Sequence, residues 1–460
     1  MQKIRNRKED VISESFEGLT LAYEKYWIRH PEVKGIISRT RRKDKVSLVI
    51  GGGSGHEPLY SCFVGPGLAD AAVCGNIFAS PDPNTIVKTA ECTDNGRGIL
   101  FVYGCYAGDN MNFDMAEELL RAKGIKTAHV RGQDDVVSQP KERSDERRGI
   151  AGALFLVKIA GAVCDAGLSL EEAVRVTTKA RNNIRSVGVA TSPGQLPNAD
   201  RPIFELPEGM IEYGMGVHGE KGVRRVPMES ADKLCDTMMQ AIFDDGEYKE
   251  GDEVCVYINA FGSTSVTEMA IAYRQVRQIL GEKGIRVHDS DINNYFRTQE
   301  MGGFSISLLT LDDELKQYYD MPCYCPYYAK SAVSAPAEDD TAVPGSPAAA
   351  LLSMDTGDNA FAPFAAAGRA MLLSMGGASG VIFGSMFLAG DSFAPKSVLT
   401  GSDLGLLETK ALETVKERGG AARFGKAKSL GERAIGFPDA GAASVALIFE
   451  AMREYAEGPQ

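Results

Sequence analysis

Residues 46–58 read VSLVIGGGSGHEP, an apolar run followed by three glycines, a serine, a glycine, a histidine and an acid. The run VSLVI predicts a strand, because it is short, rich in β-branched residues and ends at a glycine turn. Glycines after a strand are typical of both phosphate loops and ordinary tight turns. No Lys-Ser/Thr pair follows, so the stretch is not a nucleotide-binding P-loop. His56 and Glu57 instead indicate the wall of a reaction site.

Strand-like and helix-like segments alternate on both sides of this stretch. Further strands are predicted at GILFVYG (98–104), VCVYINAFG (254–262) and FSISLLTL (304–311). Amphipathic helices are predicted at NFDMAEELLRAKG (112–124) and TSVTEMAIAYRQVRQILGEKG (264–284). The alternation predicts an α/β domain with a mostly parallel sheet and helices on both faces. Such domains bind ligands at the carboxyl ends of their strands, where the glycine run leaves the first strand.

A change of composition divides the chain. Beyond residue 330, Pro, Ala, Ser and acidic residues replace the apolar periodicity, which predicts a linker at 331–347. Residues 348–460 are rich in Ala, Gly, Leu and Met at helical spacing, as in FAPFAAAGRAMLLSM and AASVALIFEAMREY. We therefore expect a large α/β domain over 1–330 and a small all-α domain over 348–460.

Composition argues against several classes of protein. A formal net charge of −12 argues against nucleic-acid binding, which needs clustered Lys and Arg. The segment MQKIRNRKED lacks the apolar core of a signal peptide, and the most apolar stretch carries Lys158 in its middle. We therefore expect a cytoplasmic protein without a membrane span. The nine cysteines are scattered, and we interpret them, including the close pair Cys323 and Cys325, as reduced core thiols.

Two further residues are candidates for chemistry. Asp109 follows the strand GILFVYG, where an aspartate usually caps the next helix. Two asparagines after Asp109 can also cap that helix, which leaves the Asp109 carboxylate available for chemistry. His218 lies among four glycines in IEYGMGVHGEKG (211–222), an irregular loop where an imidazole can act as nucleophile, base or metal ligand. No acidic or thiolate cluster near these residues in the sequence indicates a metal site in the first domain. The remaining histidines are interpreted as structural or surface residues: His30, His129 and His288.

Together these stretches resemble the ketone-binding unit of the dihydroxyacetone kinase family. The matching stretches keep the order and spacing of that family and cover nearly all of residues 1–330. They are GGGSGHEP (51–58), IFASP (77–81), GDNMNF (108–113), GMGVHGEKG (214–222), NAFGST (259–264) and GGFSISLL (302–309). The resemblance implies a domain of two α/β lobes.

The resemblance also implies a covalent mode of binding. In this family a short ketose forms a hemiaminal between its carbonyl carbon and the histidine that matches His218. The residues that match His56 and Asp109 hold the hydroxyls and assist proton transfer, with Asp109 as the general base. The implied partner is a short-chain ketose or ketose phosphate, and the implied assembly is a homodimer. The implied substrate contacts are Gly52, Gly53, Ser54, Glu57 and Gly108.

The helical domain resembles part of the nucleotide-binding unit of the same family. The implied nucleotide contacts are Gly376, Gly377, Ser379, Gly380, Arg433 and Asp439. The family's magnesium-binding G-D-x-D-x-G stretch is replaced by MDTGDN (354–359), so we assign no metal ligand. The first domain departs from the family as well. Where the family usually has Lys-Asn-Tyr-Thr-Gly-Asp, residues 104–109 read GCYAGD.

Three functions remain open from the sequence. The first is a kinase that phosphorylates a three- or four-carbon ketose with ATP and Mg²⁺, alone or with a separate subunit. The second is a cofactor-independent aldose–ketose isomerase that uses His218, Asp109 and His56, a reading favoured by the missing carboxylates. The third is a ketose-binding regulatory protein. Family resemblance favours the kinase.

Overall fold

The structure is a computed structural model that describes residues 2–331, 359–374 and 384–417. The chain divides into two units, Met1–Ser334 and Ala335–Gln460. The helices of the first unit are α1 Val11–Ala22, α2 Pro83–Glu91, α3 Ala107–Ala122, α4 Ala153–Asp165, α5 Leu170–Asn182, α6 Ala231–Asp245, α7 Val266–Glu282 and α8 Asp313–Tyr319. Its strands are β1 Trp27–Arg29, β2 Gly35–Ser38, β3 Ser47–Ser54, β4 Ala71–Ile77, β5 Ile99–Gly104, β6 Thr127–Gly132, β7 Ile184–Ser192, β8 Met210–Tyr213, β9 Arg224–Pro227, β10 Glu253–Ala260, β11 Arg286–Asn293, β12 Gly302–Leu311, β13 Cys323–Cys325 and β14 Tyr328–Lys330.

The first sheet carries the glycine run at its centre. Its strand order is β1-β2-β4-β3-β5-β6, and the four strands from β4 to β6 are parallel. Strands β3 and β5 are buried over their apolar residues, which explains why they read as continuous apolar runs rather than alternating ones. Their carboxyl ends lie side by side, with Gly51 opposite Tyr103. The glycine run and the start of α3 therefore leave the sheet at one edge.

The second sheet has the order β11-β10-β12-β7-β8-β9. Only β10 and β11, joined by α7, pair in parallel; the other neighbours are antiparallel. No helix in the described chain separates β7 from β8 or β8 from β9, and parallel neighbours need a crossover connection, usually a helix. The expected α/β class with two lobes is thus confirmed, and the mostly parallel arrangement applies to the first lobe.

The main hydrophobic core joins the two lobes around α4. Residues Ala153 to Cys164 of this helix are all buried, and Phe155 packs edge-on against Tyr257 of the second sheet, with ring centroids 6.3 Å apart. Lys158 is also fully buried, and its Nζ donates to the Tyr318 carbonyl at 3.1 Å. The apolar stretch around Lys158 is thus a core helix. In the described part of the chain, no helix is long and apolar enough to cross a membrane.

All nine cysteines lie within the described residues, where none forms a disulfide and eight are buried. The second unit is helical where it is described. Its two longer helices are α9 Ala362–Ser374 and α10 Gly401–Glu417. A small apolar cluster there contains Met386, Ala389, Leu407 and Ala411. Nearly all of the predicted linker at 331–347 lies outside the described residues.

Candidate active site

The glycine run forms the end of β3 and the turn that follows. A Cβ on Gly53 would lie 2.7 Å from the backbone nitrogen of Ala79, so only glycine fits there. Gly55 has a φ of +102°, in the range that favours glycine. The glycines thus allow the strand end to pack closely against the segment after β4.

Two of the predicted substrate contacts, Ser54 and Glu57, have hydrogen-bond partners in the protein itself, one on β4 and one within this turn. Ser54 Oγ donates to the Gly75 carbonyl at 2.8 Å, and Glu57 Oε2 accepts from the Gly55 N–H at 2.8 Å. Burial raises the pKa of the Glu57 carboxyl. Both side chains stabilise the loop, and their contact with a substrate stays a prediction.

The predicted contacts Gly52 and Gly108 each have a neighbour that limits the space around them. A Cβ on Gly52 would lie 3.3 Å from the Tyr60 ring, and a Cβ on Gly108 would lie 3.5 Å from the Ser80 Cβ. Their role toward a substrate, like that of Gly53, stays a prediction.

His56 is held between two aromatic rings. It stacks on Phe78 and on Phe296, with ring centroids 4.6 and 4.9 Å away. Its Nδ1 is 2.7 Å from the Arg297 carbonyl, an acceptor that requires the proton on Nδ1. Its Nε2 is buried and has no hydrogen-bond partner among the described residues. Burial, followed by the nearby His218, lowers the pKa of His56 to about 3, so a neutral imidazole offers a lone pair on Nε2.

Two non-glycine residues beside His56 adopt a left-handed backbone conformation. Phe78 has a φ of +53° and Gln299 a φ of +50°. The Gln299 side chain donates to the Gly55 carbonyl at 2.8 Å, which connects this loop to the glycine turn. Such conformations are costly and cluster at functional sites.

His218 is oriented by Glu220, a residue that the sequence analysis did not single out. Glu220 Oε1 is 2.8 Å from His218 Nδ1, and Oε2 accepts from the His218 backbone N–H at 2.9 Å. Burial opposes ionisation of Glu220, but the hydrogen bond and charge of His218 prevail and lower the pKa of Glu220 to about 2. The ionised carboxylate can only accept, so Nδ1 carries the proton and Nε2 is free to act as a nucleophile.

Glu220 has a cation beside it. A Cβ on Gly216 would overlap Glu220 Oε2 and would lie 2.6 Å from Arg148 Nη1. Arg148 in turn forms an ion pair with the buried Asp135 at 2.7 Å and donates to the Gly214 carbonyl at 2.9 Å. Glycine at 216 therefore leaves room for both the Glu220 carboxylate and the Arg148 guanidinium.

Asp109 lies in the first turn of α3. The helix begins at Ala107, earlier than the start at 112 that the pattern indicated, and no side chain caps it at Tyr106. Asp109 is buried, and its Oδ1 has no hydrogen-bond partner in the described chain. Burial raises the pKa of Asp109 to about 6, against the opposing effects of Ser80 and His218. A carboxylate with this pKa is suited to proton transfer near neutral pH.

The fold brings the three predicted catalytic residues together from distant parts of the chain. The rings of His56 and His218 are 4.9 Å apart, and His218 is close enough to Asp109 to oppose the rise in the pKa of that carboxyl. Tyr106 packs edge-on against His218 at 4.6 Å. Glu220 could have been identified from the sequence as a partner of His218, because it lies only two positions after that histidine in the same glycine-rich loop. The contacts of Phe78, by contrast, depend on tertiary packing.

The other histidines lie in ordinary structural contacts. His30 Nδ1 accepts two backbone N–H groups, and His288 lies between Glu253 and Asp320. His129, Asp114 and Glu117 are close enough together to bind a metal ion. Their oxygens, however, already accept hydrogen bonds from two arginines, a threonine and the His129 ring, which identifies an ion-pair network.

The residues predicted to bind a nucleotide cannot be placed in this site. They lie outside the described residues: Gly376, Gly377, Ser379, Gly380, Arg433 and Asp439. The aspartates of MDTGDN lie outside them as well.

Comparison with known proteins places the chain in a family. The family model of the Dak1 domain matches residues 17–327. The chain is 40% identical to the dihydroxyacetone-binding subunit DhaK of the PTS-dependent dihydroxyacetone kinase 2 of Listeria innocua, over 71% of this chain and 99% of the relative. It is 37% identical to an L-erythrulose kinase of Pectobacterium atrosepticum over 65% of this chain, which spans only 52% of that kinase.

The fold agrees with a solved structure. The dihydroxyacetone kinase of C. freundii superposes with a TM-score of 0.65 at 25% identity, over 91% of this chain and 86% of the other.

Proposed function

The chain belongs to the dihydroxyacetone kinase family, and on that premise we propose that it binds a short-chain ketose covalently at His218 and presents a terminal hydroxyl for phosphorylation. The observation that carries the proposal is the pair of His218 and Glu220. The carboxylate fixes the proton on Nδ1 and leaves the Nε2 lone pair available to attack a carbonyl carbon. The ring centroids of His218 and His56 are 4.9 Å apart.

The adduct forms by addition to the carbonyl group. A bond forms between His218 Nε2 and the carbonyl carbon, and the electron pair of the C=O bond moves to oxygen. The solvent protonates that oxygen, so the cationic adduct takes up one proton overall. The imidazole ring gains a positive charge in this step, and the ionised Glu220 beside Nδ1 stabilises that charge. An alcohol without a carbonyl cannot form the bond, so the site selects ketoses over polyols such as glycerol.

His56 and Asp109 have different tasks in this mechanism. His56 Nε2 carries no proton, so it accepts a hydrogen bond from a substrate hydroxyl, in agreement with the low pKa of its ring. Asp109, with a pKa of about 6, is ionised at neutral pH and takes the proton of the hydroxyl that is phosphorylated.

The phosphoryl donor belongs to a second component. ATP with Mg²⁺ would supply the phosphoryl group, held either by the chain's own second unit or by a separate subunit. The length match between this chain's first unit and a dihydroxyacetone-binding subunit supports the latter arrangement. We retain the division into a ketose domain (1–330), a linker (331–347) and a helical domain (348–460), and a homodimeric assembly, as parts of this proposal.

Dihydroxyacetone and erythrulose are the first ketoses to test, because relatives are named for them. The protein is incubated with each ketose in D₂O, with and without ATP and Mg²⁺, and the products are followed by NMR. A ketose phosphate that appears only with ATP supports the kinase, and His218→Ala should abolish it.

The other outcomes decide between the remaining functions. Exchange of a carbon-bound proton without ATP would replace the kinase by the isomerase. Adduct formation without either reaction indicates a binding protein that needs a separate donor subunit or has a regulatory role. A His218→Ala protein with full turnover would refute the covalent step.

A further inference from the structure

Three buried polar atoms beside the glycine run have no hydrogen-bond partner in the part of the chain that the structure describes. They are His56 Nε2, Asp109 Oδ1 and the Tyr60 hydroxyl. All three side chains are more than nine-tenths buried, with exposed fractions of 2%, 8% and 6%. The proposed mechanism uses the first two and leaves Tyr60 without a task.

The Tyr60 hydroxyl lies near Gly104, at the end of the strand that leads to Asp109. It is 3.5 Å from the point that a Cβ on Gly104 would occupy, and the Tyr106 ring is 3.1 Å from the same point. Tyr106 contacts His218 on its other side. The Tyr60 ring also packs edge-on against Phe296, the ring on which His56 stacks.

A buried hydroxyl without a partner calls for an explanation, because native proteins satisfy nearly all such groups. Tyrosine here also differs from phenylalanine only by that hydroxyl, so packing alone does not require it. A site that contains three such atoms is matched by a ligand with several hydroxyl groups, each able to donate and accept. A ketose is such a ligand.

We propose that the Tyr60 hydroxyl is a specificity-determining contact that hydrogen-bonds a terminal hydroxyl of the ketose beside Gly104. The proposal rests on the proposed function and adds a residue to it. A longer side chain at 104 would fill the space beside the hydroxyl and press on the Tyr106 ring.

The chemistry of this contact selects an uncharged end of the substrate. Burial, followed by the charges of Asp134 and Asp109, raises the pKa of Tyr60 above its ordinary range, so the group is a neutral phenol. A neutral phenol suits a hydroxyl as its hydrogen-bond partner, and the contact therefore fits an uncharged end of the ketose.

The test compares dihydroxyacetone with hydroxyacetone, which lacks one hydroxyl, in the wild type and in Tyr60→Phe. Calorimetry gives both dissociation constants. We expect the wild type to prefer dihydroxyacetone by about three- to tenfold, the value of one neutral hydrogen bond. In Tyr60→Phe the preference should fall to within about twofold, whichever subsite the single hydroxyl of hydroxyacetone occupies in the wild type.

Tyr248→Phe is the matched control. This tyrosine packs on Phe243 in the second lobe, with ring centroids 5.2 Å apart, and its change should leave the preference unaltered. Thermal unfolding of ligand-free Tyr60→Phe should occur at or above the wild-type temperature, because the variant removes a hydroxyl that the protein itself does not satisfy.

Two results would overturn the inference alone. One is a Tyr60→Phe variant that prefers dihydroxyacetone over hydroxyacetone as strongly as the wild type does. The other is a clear loss of thermal stability in Tyr60→Phe, which would assign the hydroxyl a structural role. If the wild type forms no adduct with either ketone, the proposed function fails and the inference fails with it.

Discussion

Replacement of Glu220 by glutamine tests how the protein makes a histidine nucleophilic. The Oε1 atom of Glu220 lies 2.8 Å from His218 Nδ1 and accepts a hydrogen bond from it. The amide of the introduced glutamine could still accept that hydrogen bond, but it would bring no charge to balance the positive ring that forms on addition. A charge-assisted hydrogen bond is stronger than a neutral one by about 1 to 2 kcal/mol, so we expect the adduct to weaken about 5- to 30-fold.

The assay is calorimetric titration of dihydroxyacetone at neutral pH. Glu208→Gln, an exposed carboxylate in the preceding loop, removes the same charge without contact to His218 and should bind within about twofold of the wild type. Gly216→Ala offers an independent check, because its Cβ would displace Glu220 Oε2 and should weaken binding in the same direction. Glu220→Gln with wild-type affinity would refute the role of Glu220.

Three further predictions concern proton transfer and stability. Because the pKa of Asp109 is raised to about 6, turnover should increase as the pH rises through 6, and equal turnover at pH 5 and pH 7 would contradict this. Asp109→Asn should reduce turnover about 10²- to 10⁴-fold, while dihydroxyacetone still binds to the variant. The pKa of His56 is lowered from 6.5 to about 3, so its ¹⁵N signals should not titrate between about pH 4.5 and 8. Its contribution to the free energy of unfolding should be complete above pH 6.5 and should decrease as the pH falls toward 3. Lys45 is buried and pairs with two carboxylates, Asp70 at 2.5 Å and Asp165 at 3.0 Å. Asp70→Ala leaves Lys45 with one partner and should lower the free energy of unfolding in urea by about 1.5 to 3 kcal/mol, the value of a hydrogen bond to a charged group. Glu32→Ala on the exposed surface should change it by at most about 0.5 kcal/mol, and similar values for both variants would argue against a buried pair.

The sequence predicted the buried strands well because their signal is local. Residues 46–50 and 254–262 fall on β3 and β10, where burial on both faces favours nearly continuous apolar runs. Residues 304–311 fall on β12, where Phe304, Ile306 and Leu308 alternate with polar residues or other buried positions. The short strands β8 and β9 were not predicted. Strand β9 reads RRVP and is mostly exposed, so neither apolar alternation nor a continuous apolar run marks it.

The site shows the same division between local and tertiary signals. His56 and His218 were identified from the glycines around them, which reflect close backbone packing such as that of Gly53 against Ala79. The start of α3 was misplaced because no side chain caps the helix at Tyr106. Tyr60 could not be identified, because its role depends on residues from other strands and loops that only the fold brings to its hydroxyl.

The most direct test of the central claim is the ¹³C spectrum of [2-¹³C]dihydroxyacetone bound to the protein. We expect the C2 signal to leave the carbonyl region and appear where a tetrahedral carbon bonded to oxygen and nitrogen resonates. The same titration with His218→Ala should leave the signal in the carbonyl region. A bound ketose whose C2 remains a carbonyl in the wild-type protein would contradict the covalent mechanism.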